Sequence, residues 1–146
     1  MFKKYVCGLS LGLLIGLPAV LFALPGAGMA GSLDESVQEG RALFMTGTFG
    51  GNGRSCNSCH TGDGTTLGAL PNGKAISSLN NAAAIFPRYN ARLGVVLSLQ
   101  DQVHNCIAGA LEGTPPASDS REMVALISYL TSLAQGKAID MGGKPE

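Results

Sequence analysis

Cys56-Asn57-Ser58-Cys59-His60 sets two thiols three positions apart, with an imidazole directly after the second. The spacing suits covalent attachment of haem. Two thiols add across the two vinyl groups as thioethers, two intervening residues span the gap, and His60 is carried under the iron as proximal ligand. The same residues admit three other chemistries. A thioredoxin-like redox pair sits beside a βαβ pattern, and none is visible here. A disulfide is the usual fate of paired cysteines in exported proteins. A zinc ion wants four well-placed ligands, which Cys56, Cys59 and Cys106 with one His can supply. One haem c, bound through Cys56, Cys59 and His60, is the expectation.

The ligand on the other face of the iron is less constrained. Small cytochromes c commonly place a Met in the loop before the terminal helix, but that loop here, Gly113 to Ser120, has none. The candidates are Cys106, His104, Met123 and Met141, with Met45 just before the haem loop. Met141 is in the tail. Met123 reads equally as core packing, and His104 as a helix surface residue. Cys106 lies on an apolar stripe, where a small buried hydrophobe is the ordinary reading. A thiol left unpaired in an exported protein still needs its own explanation, so Cys106 is favoured as the second metal ligand beside His60.

Helices must position these groups. The first is expected at Leu33–Phe44, with Ser32 and Glu35 as a capping box and Gly40 on a face with Val37, Arg41 and Phe44, so that a crossing helix can approach closely. Gly- and Thr-rich loops flank the motif, and a short helix is expected from Ser78 to Phe86, ended by Pro87. A third helix covers Leu99 to Leu111, capped by Ser98, with Leu99, Val103, Cys106, Ile107 and Ala110 on one stripe. The last spans Arg121 to Ala134, with Gly136 as its stop. No convincing strand or repeat is present, and residues 137–146 read as a loose tail. The fold class is therefore all-α: about four helices around one covalently bound haem, in the manner of a small class I-type cytochrome c. The chain has no Trp and only eight Phe and Tyr, so haem is expected to furnish much of the aromatic interior.

Residues 1–30 read as a secretory signal: Lys3 and Lys4, an apolar run from Tyr5 to Ala23, then small residues up to Gly28-Met29-Ala30. An uncleaved N-terminal membrane anchor is the alternative. Cys7 falls in that segment. Removal leaves 116 residues, one domain, with eight basic and ten acidic side chains, a net charge of −2. No basic patch or aromatic platform points to nucleic acid. Export to the periplasm agrees with haem attachment.

A longer pattern follows the motif. Phe86-Pro87-Arg88-Tyr89-Asn90-Ala91-Arg92 leads into Leu99-Gln100-Asp101-Gln102-Val103-His104-Asn105-Cys106. Then come Leu111-Glu112-Gly113-Thr114-Pro115-Pro116, Asp119-Ser120-Arg121-Glu122-Met123 and Tyr129-Leu130. From Gly40 to Gly136 this resembles the first haem domain of thiosulfate dehydrogenases and, more distantly, the haem subunit of the sulfur-oxidising cytochrome complex. The resemblance implies that Cys106 is the distal iron ligand. A His/thiolate pair stabilises ferric iron, because the anionic donor offsets its extra charge, and implies a potential below that of a His/Met site. It also implies basic and polar groups that hold a small inorganic sulfur anion near the iron. Arg92 matches one by position, although a surface Arg or a contact to a haem propionate explains it as well. An Arg expected at Gln102 and a Ser expected at Ala110 are missing, and no second haem domain like that of those enzymes is found. Joining two thiosulfates as tetrathionate releases two electrons while one haem accepts one, so a redox partner protein, such as another cytochrome, is expected.

Three functions compete, one of them a ligand sensor or storage protein, which none of these residues favours. An exported monohaem cytochrome carrying electrons in the periplasm, linked to inorganic sulfur metabolism, is favoured by the missing substrate-site groups. A thiosulfate dehydrogenase-like enzyme or subunit is favoured by Cys106. Function has to be argued from the site rather than the fold.

Overall fold

Ser32 opens the computed structural model, which describes residues 32–146; the secretory signal read at residues 1–30 lies outside them. Ser32 Oγ accepts from Glu35 N at 3.2 Å, and Glu35 Oε2 accepts from Ser32 N at 2.7 Å, the reciprocal box read from the sequence. It starts α1 (Leu33–Thr46). Two 3-10 turns follow, Cys56–Ser58 and Gly62–Gly64. Next come β1 (Gly68–Ala69), β2 (Ala75–Ile76), α2 (Ala82–Ile85), β3 (Arg88–Asn90) and β4 (Val95–Leu97). The chain ends in α3 (Leu99–Gly109), α4 (Arg121–Leu133) and a C-terminal strap.

Gly40 acts as the sequence suggests. A Cβ there would overlap the carbonyl oxygen of Ala125 on α4 and come within 2.8 Å of Tyr129 Cβ. The bare backbone therefore lets α1 and α4 cross closely, with the Phe44 and Tyr129 rings 5.4 Å apart at 57°. Around them Val103, Ile107, Leu111, Met123, Leu126 and Leu130 complete the buried cluster. α3 is capped by a second box, Ser98 Oγ accepting from Asp101 N at 3.1 Å and Asp101 Oδ2 from Ser98 N at 2.9 Å. No helix among the described residues is long and apolar enough to cross a membrane.

Three expectations are corrected. The chain is not free of strands: β1–β2 pairs Gly68 with Ile76 and Ala69 with Ala75, and β3–β4 pairs Arg88 with Leu97, Tyr89 with Val96 and Asn90 with Val95. Strands of two or three residues are too short to display an alternating pattern. The helix expected over Ser78–Phe86 shrinks to Ala82–Ile85, because the preceding amides are engaged elsewhere: Leu79 N donates to Gly64 O at 2.7 Å and Ser78 N to Glu146 O at 2.9 Å. The tail expected to be loose is instead bound along α2. Asp140 N donates to Ala84 O at 2.8 Å and Gly142 N to Ile85 O at 2.9 Å. The buried Asn81 side chain donates to Lys144 O at 2.9 Å and accepts from Glu146 N at 3.2 Å.

Candidate haem-binding cavity

The Cys56–Ser58 turn is tight: Cys59 N donates to Cys56 O at 3.2 Å and His60 N to the same oxygen at 2.9 Å. Winding the chain this way gathers two thiols and an imidazole onto one short segment. Its neighbours hold it. Ala69 N donates to Cys59 O at 3.1 Å and Gly64 N to His60 O at 3.1 Å. Asn57 Oδ1 accepts from Asp63 N at 3.1 Å. A Cβ at Gly68 would strike the Cys59 carbonyl oxygen, so glycine is required where β1 passes the motif.

Cys56, Cys59 and His60 open onto a cavity of about 730 Å³. A second wall is the stripe of α3, with Leu99, Gln102, Val103 and Cys106. Ile85, Phe86 and Pro145 contribute from α2, the residue after it and the strap. The lining is mainly apolar with a few polar groups, as cofactor sites are.

Burial dominates the electrostatics of these groups. Burial, reinforced by the nearby Cys106, pushes the Cys56 thiol up to about 12. Burial likewise raises Cys106, an effect partly offset by a hydrogen bond from Gln102 Nε2 to Cys106 Sγ at 3.3 Å. Burial lowers His60, opposed in part by the backbone of Ser77. His60 Nδ1 is buried with no hydrogen-bond partner. Cys56, Cys59 and Cys106 are all free thiols, so no disulfide joins the first two. Among the described residues no three His, Cys, Asp or Glu groups gather as a metal-ion site. These groups fit haem c: thiols for the vinyl carbons, a neutral imidazole and a separate thiol for iron, and an apolar chamber for the macrocycle.

The other ligand candidates lie outside the lining. Met123 is fully buried in the α1–α4 core, and Met141 is 68% exposed on the strap. Met45 packs half-buried against the core. His104 is on α3 but absent from the cavity wall, with its Nε2 buried and unpartnered. Arg92 is not at the cavity either; it is exposed at the tip of the β3–β4 hairpin, where its backbone N–H donates to Asn90 Oδ1 at 3.1 Å. The arginine that does line the cavity is Arg88, its guanidinium carbon 6.0 Å from the Phe86 ring centre. Asn90 and Gly94 mark the turn that carries Arg92 away, a signal present in the sequence. Nothing local marks Pro145 as part of the wall.

Residues 39–139 match the SoxA/TsdA cytochrome c domain family. The chain is 32% identical over 112 residues to the thiosulfate dehydrogenase of Stutzerimonas stutzeri, covering 73% of this chain and 34% of that protein. It is 29% identical over 127 residues to the thiosulfate dehydrogenase of Allochromatium vinosum, covering 82% and 46%. The chain therefore spans less than half the length of these curated relatives. Among solved structures, thiosulfate dehydrogenase TsdBA from Marichromatium purpuratum superposes with a TM-score of 0.60 at 24% identity, over 82% of this chain and 26% of that one. SoxXA from P. pantotrophus gives 0.59 at 22% identity, over 74% and 36%. At those identities the two structures establish the fold.

Proposed function

The chain belongs to the SoxA/TsdA cytochrome c domain family, and from that premise we propose that it is an exported monohaem cytochrome carrying electrons in the periplasm, in the service of inorganic sulfur oxidation. A cytochrome c domain implies covalently bound haem c. The observation that carries the reading is a single chamber lined by Cys56, Cys59 and His60 on one wall and by Cys106 on another. When bound, the iron supplies one-electron exchange between its ferric and ferrous states.

The chain's own residues divide the work. Cys56 and Cys59 anchor the group as thioethers. His60, held neutral by burial, offers a nitrogen lone pair. Cys106 is the remaining ligand and, as thiolate, favours the ferric state, keeping the potential low. Burial holds Cys106 toward the protonated thiol, and it would bind iron as the thiolate. Ile85, Leu97, Ile107 and Leu126 exclude water from the chamber. The partner is another redox protein, a cytochrome among the candidates. Export rests on the signal read at residues 1–30.

A second reading, a thiosulfate dehydrogenase-like enzyme or subunit, is favoured by the names of the relatives and by Cys106. Against it, the wall beside Cys106 carries the neutral Gln102 and Ala110, and Arg92 is not part of the lining. A steady-state assay of the purified holoprotein with thiosulfate and an artificial electron acceptor, paired with a redox titration, separates the two. Reversible one-electron cycling with slow thiosulfate turnover is expected. Rapid formation of tetrathionate would replace the carrier reading with the enzymatic one.

A further inference from the structure

Gln102 stands one helical turn before Cys106 on α3, and its Nε2 donates to Cys106 Sγ at 3.3 Å. Both side chains line the cavity. The pairing is built in by the backbone: residues four apart on a helix share a face, so donor and acceptor keep their register as long as α3 holds. The Ser98–Asp101 capping box secures the turn that carries Gln102. Sulfur acting as a thiolate accepts hydrogen bonds and donates none, so the amide must turn its N–H toward it, as it does.

We propose that Gln102 is a positioning residue that orients Cys106 Sγ and sets how strongly that sulfur donates to the iron. The inference rests on the reading of Cys106 as the distal ligand. An N–H···S bond draws electron density away from the sulfur, and hydrogen bonds to ligating sulfurs are among the levers that set a metal's potential. The thiolate is then a weaker donor than it would be alone. The ferric state loses part of its stabilisation, and the midpoint potential sits higher than for an unbonded His/thiolate pair. No bond forms or breaks in this role; one electron enters or leaves the iron, and the hydrogen bond shifts the balance. A neutral amide does this without placing a cation beside the sulfur. A charged donor at the same place would make a stronger bond and add its own attraction for electrons.

The test compares full-length holoprotein with Gln102→Leu, Gln102→Arg and Cys106→Ala by equilibrium redox titration and by EPR of the oxidised form. Leu keeps the bulk and removes the donor. It should lower the midpoint potential by about 59 mV, corresponding to about tenfold in a one-electron equilibrium constant, and shift the g values of a low-spin signal that is otherwise retained. Arg should shift the potential upward. Opposite signs at one position are not what a merely structural role produces, and the Leu variant carries the decision, because an added positive charge raises the potential whether or not it bonds the sulfur. A wild-type potential and wild-type g values in Gln102→Leu would overturn the proposal. Cys106→Ala is the arm that reports on the foundation. It should change the low-spin signal, and an unchanged spectrum means that the ligand assignment has failed and takes the role of Gln102 with it.

Discussion

Arg88 and Arg92 are four positions apart, yet only one belongs to the cavity. Arg88 is the first residue of β3, opposite the buried Leu97, and is held beside the Phe86 ring. Arg92 follows Asn90, whose side chain accepts from the backbone of both Arg92 and Leu93 at 3.1 Å and turns the chain outward. A positive charge near the iron opposes the ferric state, so its removal lowers the potential. Arg88→Gln should therefore reduce the midpoint potential by up to about 1 kcal/mol of redox free energy, the scale of partly solvated charges, whereas Arg92→Gln should leave it at the wild-type value. Redox titration of the two variants side by side decides this, and equal shifts would show that hairpin position is irrelevant.

At the scale of elements, the crossing of α1 and α4 grips the motif from behind. Tyr129 Oη donates to Asp63 O at 2.6 Å, and Arg41 Nε donates to Asp63 Oδ2 at 3.0 Å. Asp63 is three residues past His60, so the helix pair fixes the segment that carries the imidazole. Gly40 sets how closely the pair meets. In an exposed helix Gly→Ala usually stabilises, but at Gly40 the added methyl meets the Ala125 carbonyl oxygen. Gly40→Ala should cost about 1–3 kcal/mol, the range for overpacked sites. At Gly109, near the end of α3, an added Cβ meets nothing within 4 Å. Gly109→Ala should gain about 0.4–1 kcal/mol. Denaturant unfolding of both variants gives the signs, and a gain at Gly40 would mean that the helices can separate without loss.

Across the whole molecule, the C-terminal strap closes the chamber. Residues 140–146 run along α2 and bring Pro145 to the cavity wall. The exposed Lys137–Glu146 ion pair, 2.7 Å between Nζ and Oε2, adds little because water competes for both charges. Asn81 matters more: it is 8% exposed and satisfies Lys144 O and Glu146 N at once. Asn81→Ala removes both bonds; Lys144 and Glu146 are exposed, so water replaces part of what is lost, and the cost should be about 0.5–1.5 kcal/mol per bond at most. The amides of Asp140, Gly142 and Glu146 should then exchange with deuterium faster than in the parent, as mass spectrometry can follow. Unchanged protection would show that the strap is held by something other than this side chain.

The features legible in the amino-acid order are those encoded locally. Ser32 with Glu35, and Ser98 ahead of Leu99, mark helix starts, because a cap is satisfied within three residues. The C-x-x-C-H turn is equally local, since its hydrogen bonds close within Cys56–His60. Gly40 was readable as a close-approach site because a single missing Cβ has a single geometric use. The shrunken α2 and the bound strap were not readable, because each depends on partners tens of residues away, as Ser78 with Glu146 and Asn81 with Lys144 illustrate. The short hairpins escaped for another reason: strands of two or three residues are too short to show alternation. Cys106 stands between the two cases. Its stripe is periodic and local, but only the tertiary placement of α3 across the cavity from the motif segment gives its thiol and those of Cys56 and Cys59 a common chamber. Covalent and helical chemistry is thus written in short windows, while the contents of a cavity are settled by long-range burial, which no short window contains.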